Sequence, residues 1–128
     1  MRIRYCSLYV KDQERALQFY THVLGFRVKQ DSPAGPYRWL TLVSPEEPDG
    51  PELVLEPAAH PIALQYQEAL YAEGIPSTAL LVEDLRAEWD RLRQAGVRFR
   101  SEPQQLPQGP RIALFDDTCG NWIQLVEP

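Results

Sequence analysis

The sequence predicts an α+β fold in which one β-α-β-β-β module is used twice. Three observations carry this. The hydrophobic pattern changes from a period of two to a period of 3.6 and back in the same order in both halves. Landmarks recur at nearly one offset: Val10-Lys11-Asp12 against Val82-Glu83-Asp84 at 72, Gly25 against Gly96 at 71, and Leu55-Glu56-Pro57 against Val126-Glu127-Pro128 at 71. The chain of 128 residues, 44% hydrophobic and 24% charged, suits one ordinary domain or two small similar halves sharing a core.

The elements follow in order. Residues 2–10 alternate as a strand. Asp12 caps a helix over 12–24 with Ala16, Phe19, Tyr20, Val23 and Leu24 at helical spacing, and Gly25 stops it. Residues 26–30 form a short strand, 31–36 a turn cluster, 37–44 a strand, 45–51 a polar loop and 52–56 a strand ending at Pro57. A connector helix over 61–73 starts at Pro61, carries Ile62, Tyr66, Ala69 and Leu70 as its apolar stripe, and ends at Gly74. The order then recurs: a strand over 75–82, a helix over 84–95 capped by Asp84 with Leu85, Trp89, Leu92 and Ala95 on one face, a strand over 97–100 and a loop over 101–110. Strands over 111–115 and 121–126 flank the turn over 116–120. Module 1 thus covers about 1–58, the connector 60–74 and module 2 75–128, in a single domain with no flexible linker.

Charge and composition remove several classes. Thirteen Lys and Arg against 18 Asp and Glu leave −5, so there is no basic stripe to displace counterions from nucleic acid. No apolar run approaches the roughly 20 residues that span a bilayer. The N-terminus has no signal-peptide core, which points to the cytoplasm. Cys6 and Cys119 have no metal-type spacing; Cys6 reads as buried filler and Cys119 as a spectator in a turn. His22 and His60 are the only imidazoles, and both read as surface residues.

The segments Leu8-Tyr-Val-Lys-Asp12, Arg15-Ala-Leu-Gln-Phe-Tyr20 and Leu24-Gly25-Phe26, with Phe115-Asp-Asp-Thr-Cys-Gly-Asn-Trp-Ile-Gln-Leu-Val126 at the close, resemble the vicinal oxygen chelate superfamily. That group holds glyoxalase I, extradiol dioxygenases and the fosfomycin- and bleomycin-resistance proteins. The resemblance implies an open eight-stranded cup with helices on its convex face and the ligand on its concave face. In metal-dependent members the first and last strands of each module supply four ligands. Carried over, those places fall on Tyr5, Glu52, Ser77 and Gln124, with Glu52 and Gln124 as repeat partners. Only Glu52 is a good donor for a divalent metal. No histidine fills a first-strand place, which disfavours an extradiol dioxygenase, and the base place of a glyoxalase holds Gln124.

Strand alternation then sorts the side chains. Leu8, Val10, Leu53, Leu55, Leu80, Val82, Ile123 and Leu125 share the parity that faces the helices. The opposite parity carries Tyr5, Ser7, Glu52, Val54, Glu56, Ser77, Ala79, Trp122 and Gln124, joined by Arg111, Ala113 and Phe115 from the neighbouring strand. From 37–44 either Trp39 and Thr41 or Arg38 and Leu40 join them, and the position of Leu40 and Leu42 favours Trp39. The candidate ligand-binding residues are therefore Tyr5, Ser7, Trp39, Glu52, Ser77, Arg111, Phe115, Trp122 and Gln124. The expectation is a homodimeric binding protein of bleomycin-resistance type that takes a small organic molecule and uses no metal or other cofactor. The alternatives are a metal-dependent lyase or isomerase of the glyoxalase I type and a partner protein whose cup is filled by its own side chains.

Overall fold

The computed structural model describes residues 1–128. The chain divides into two compact units, Met1–Gln65 and Tyr66–Pro128. The first holds strands β1 (Tyr5–Val10), β2 (Arg27–Ala34), β3 (Tyr37–Val43) and β4 (Glu52–Pro57), with helix α1 (Gln13–Gln18) continued by a π-helical turn, Phe19–Val23. Helix α2 (Pro61–Glu73) begins in it and continues into the second unit. The second unit holds β5 (Thr78–Leu81), α3 (Leu85–Gln94), β6 (Gln104–Gln105), β7 (Arg111–Asp116) and β8 (Trp122–Glu127).

Both sheets have one topology. Their orders are β1-β4-β3-β2 and β5-β8-β7-β6, so the first strand of each module pairs beside its last. That pair is parallel and the others are antiparallel. Asp12 and Asp84 cap α1 and α3 by accepting from Arg15 N–H at 3.0 Å and Ala87 N–H at 2.9 Å. Gly25, Gly74 and Gly96 stop the helices at φ +91°, +69° and +89°. In the first unit Leu8, Val10, Leu40, Leu42, Leu55, Ala16 and Tyr20 form the core; in the second, Ala113, Phe115, Ile123 and Leu125 join Leu85, Trp89 and Leu92 of α3. Gln13 locks α1 to its sheet: its amide donates to the Arg38 and Leu55 carbonyls at 2.8 and 2.9 Å and accepts from Arg38 N–H at 3.1 Å.

Several expectations are corrected. The turn cluster over 31–36 is mostly strand, because β2 is an edge strand and Pro33 breaks no ladder there; only Gly35 and Pro36 turn. Residues 97–100 form no strand, but a single Phe99–Phe115 bridge with bonds from Arg100 N to Leu114 O and Asp116 N to Arg98 O. The short β6 lies instead in the expected loop, after Pro103, which has no N–H to give. Helix α2 buries Ala63 and Gln67, while Ile62 and Tyr66 are 71% and 61% exposed. Gln67 sets that rotation, donating to the Cys119 carbonyl and to Asn121 Oδ1, both at 3.1 Å. Cys6 is exposed rather than buried, since it lies on the edge strand β1 before the stretch that packs its Leu8 and Val10 inward.

Two further corrections concern the candidate site. Strand β7 pairs with β8 so that Asp116 faces Trp122, Phe115 faces Ile123 and Leu114 faces Gln124. Arg111 and Phe115 therefore lie on the helix side, away from Trp122 and Gln124. Phe115 is fully buried, 5.8 Å from the Phe99 ring, and Arg111 pairs with Glu127, whose other oxygen accepts from Leu85 N–H at the start of α3. The hairpin loop sets this register. The buried Asp117 carboxylate accepts from Cys119 N–H, Asn121 N–H and Asn121 Nδ2 at 2.8, 3.0 and 2.8 Å.

The repeat is also shifted in its last strand. Ser7 pairs with Val54 in the first unit, and its repeat partner Ala79 pairs with Gln124 in the second. The structural counterpart of Gln124 is thus Val54, not Glu52. Leu55 matches Leu125, and both are buried.

Candidate functional site

In the first unit the open face of the sheet, away from α1, is set by register. Tyr5 lies beside Glu52, Ser7 beside Val54 and Tyr9 beside Glu56. Thr41 pairs with Val54 and with Gln30, and Trp39 with Ser32. Of the two parities weighed for β3, Trp39 and Thr41 share this face; Arg38 points to the helix side, where it pairs with Glu14 and Asp31 at 2.6 and 2.7 Å. Tyr5 meets Trp39 edge to face at 5.4 Å. Ser7 donates to Glu56 at 3.2 Å.

Glu52 is the focus of this face. Its side chain is buried, at 4% exposure, without a direct ion pair. Thr41 Oγ1 and Gln30 Nε2 both donate to its Oε1, at 2.7 and 2.8 Å. The Thr41 hydroxyl holds the carboxyl below the usual glutamate range; burial opposes this, and Gln30 and the more distant Arg4 and Lys29 charges add to it. Glu52 is therefore an anion at neutral pH with Oε1 engaged and Oε2 free to accept. Of the two donors, Gln30 was missed from sequence and Thr41 was placed only by its parity with Trp39. Gln30 follows a bulge between Val28 and Gln30, so simple alternation misplaces it.

In the second unit Trp122, Gln124, Leu114 and Asp116 share the open face with Ala79. The Ser77 hydroxyl is engaged locally, donating to Asn121 Oδ1 at 3.0 Å. Trp122 stacks on Tyr71 of α2 at 5.0 Å and 10°, and its indole N–H donates to the Tyr71 carbonyl at 3.0 Å. Asp116 Oδ2 accepts from the Tyr71 hydroxyl at 2.8 Å and from Arg98 at 2.9 Å. Burial pushes the Asp116 carboxyl up, but hydrogen bonds from Thr118 N–H, Tyr71 and Arg98 outweigh it and leave the group below its ordinary range. Tyr71 and Arg98 carried no functional signal in the sequence reading.

The residues at the metal places do not fit a divalent ion. With the register corrected, the first unit offers Tyr5 and Val54, and the second Ser77 and Gln124. A buried valine donates nothing, and the rest are neutral oxygens in place of the imidazole and carboxylate such ions select. No group of three or more His, Cys, Asp or Glu side chains is gathered anywhere to hold an ion.

These modules define a class. The family model of the glyoxalase/bleomycin resistance protein/dioxygenase superfamily matches residues 2–125, and the chain belongs to that superfamily. Within it, the chain is 50% identical to the uncharacterized protein YurT of Bacillus subtilis over 99% of both chains. It is 28% identical to a lactoylglutathione lyase of Salmonella typhimurium, over 99% of this chain and 93% of the other. Among solved structures, UcmS2 superposes with a TM-score of 0.84 at 36% identity, covering 100% of this chain and 98% of the other. TnmS3, an antibiotic binding protein from Streptomyces sp. CB03234, superposes with a TM-score of 0.78 at 29% identity, covering 100% and 96%.

Proposed function

We propose that this protein binds a small organic ligand without a metal and recognises a cationic or hydrogen-bond-donating group through Glu52. One observation carries the reading. The Glu52 carboxylate is fixed by Thr41 and Gln30, leaves Oε2 unengaged, and lies on a face with Tyr5 and Trp39. Thr41, Gln30 and the more distant Arg4 and Lys29 charges keep this carboxyl ionised, so Oε2 is an anionic acceptor ready for a ligand donor. Aromatic rings beside a carboxylate are suited to an organic cation. The similar structure TnmS3 is an antibiotic binding protein, which supports an organic ligand. The active unit in this reading is a homodimer, since the exposed Tyr5 and Tyr9 of edge strand β1 and Leu81 of edge strand β5 invite a second copy. That neither Cys6 nor Cys119 is in a disulfide suits the reducing cytoplasm.

Calorimetry with bleomycin and a panel of cationic aromatic antibiotics, together with metal analysis of protein purified without chelator, tests this. At least one member binds, Glu52→Gln weakens it about tenfold or more through loss of a charge-assisted hydrogen bond, and metal content is far below one per chain. Stoichiometric metal removable by chelator supports the lyase reading instead. Lack of any binding, or equal binding by Glu52→Gln, overturns the proposal.

A further inference from the structure

We infer that the second unit carries an oxyanion-binding site that takes a carboxylate or phosphate monoester borne on a compact aromatic body. A cavity of about 410 Å³ opens there, lined by Tyr71, Ala72, Arg98, Phe99, Arg100 and Trp122. That volume falls in the range of about 300–1,000 Å³ usual for small-ligand sites. No acidic side chain lines it, although the chain as a whole carries −5.

The two arginines differ in what they have left to offer. Arg98 is engaged by Asp116 and by the Tyr71 hydroxyl, at 2.9 and 2.7 Å. Arg100 lies 5.4 Å from the Trp122 ring centroid and makes no ion pair with a carboxylate. The cavity wall therefore keeps one uncompensated guanidinium. The exposed Arg100 side chain reaches over Gly74, at φ +69° just past α2, where the absent Cβ leaves room for its guanidinium. The Arg100 guanidinium fork matches the paired oxygens of a carboxylate or phosphate. The Trp122 indole and the Phe99 ring supply the apolar wall for the body that carries them. This inference does not depend on the ligand assigned to Glu52, and its probes carry the opposite charge.

The test is a titration of the full-length protein with benzoate and phenyl phosphate, with benzamide as the uncharged control, followed by the Trp122 indole N–H and Arg100 Nε–H resonances. Both anions shift these two signals saturably and benzamide does not; the stronger anion tells which oxyanion the site prefers. Arg100→Gln weakens the anions about tenfold or more, as expected for one charge-assisted contact, whereas Arg2→Gln, with the same change of charge at an exposed site, leaves them unchanged. Arg100→Lys, which keeps charge but not the fork, weakens binding less than Arg100→Gln. Equal shifts by benzamide, shifts centred elsewhere, no binding of either anion, or equal losses in Arg100→Gln and Arg2→Gln overturn the proposal. The comparison of anions with benzamide needs only the natural protein, so it stands even if a variant fails to fold.

Discussion

At the scale of single residues, Glu52 and Thr41 form the most testable pair. Thr41 is fully buried, and its hydroxyl gives the strongest support to the ionised Glu52 carboxyl. Thr41→Val keeps the shape and removes that donor. The folded-state carboxyl lies below 4.5, so its contribution to stability is present above 4.5 and fades as pH falls through the lower folded value. Thr41→Val is therefore expected to cost about 1–3 kcal/mol at neutral pH, with the deficit shrinking below pH 4.5. Urea unfolding of both proteins at neutral and acid pH measures it; a deficit that grows on acidification contradicts the assignment. Gln13 is structural by the same standard: three hydrogen bonds join one amide to two strands.

At the scale of elements, the β7–β8 hairpin decides what the second unit presents. Asp117 anchors its loop with three hydrogen bonds and is itself fully buried. Asp117→Ala strands three donors, so a loss of about 3 kcal/mol or more is expected. Because a one-residue slip in pairing exchanges the faces of a strand, the variant is also expected to disturb the Trp122–Tyr71 stack. Loss of the near-ultraviolet dichroism of Trp122, relative to a Trp122→Phe reference, reports it. An unchanged spectrum and unchanged stability would show that the loop does not set the register.

At the scale of the whole molecule, the proposed dimer rests on unpaired strand edges and exposed apolar side chains. Both β1 and β5 are edge strands, and Tyr5 and Leu81 on them are 52% and 75% exposed. Sedimentation at tens of micromolar, an order of magnitude chosen from ordinary dimer affinities, is expected to show a dimer. Tyr5→Lys is expected to shift it toward monomer by placing a charge on the edge. Monomer at that concentration for the natural protein contradicts the dimer.

The sequence by itself determined the two-module α+β plan, the positions of the three helices, and the inward parity of Leu8, Val10, Leu55, Ile123 and Leu125. Those features are local: a period, a cap at Asp12 or Asp84, a stop at Gly25 or Gly96. It also set the alternation within each strand, but only pairing put Tyr5 of β1, Glu52 of β4 and Trp39 of β3 on one face. Tertiary structure decided everything that depends on pairing between strands. The β7–β8 pairing turns Arg111 and Phe115 to the helix side, whereas alternation alone puts Phe115 on one face with Trp122. A two-residue difference in the last strands made Val54 the counterpart of Gln124. A bulge delivered Gln30 to Glu52, and the rotation of α2 brought Tyr71 onto Trp122. Register and helix rotation are set by contacts between segments far apart in the chain, so a reading of one segment at a time does not contain them.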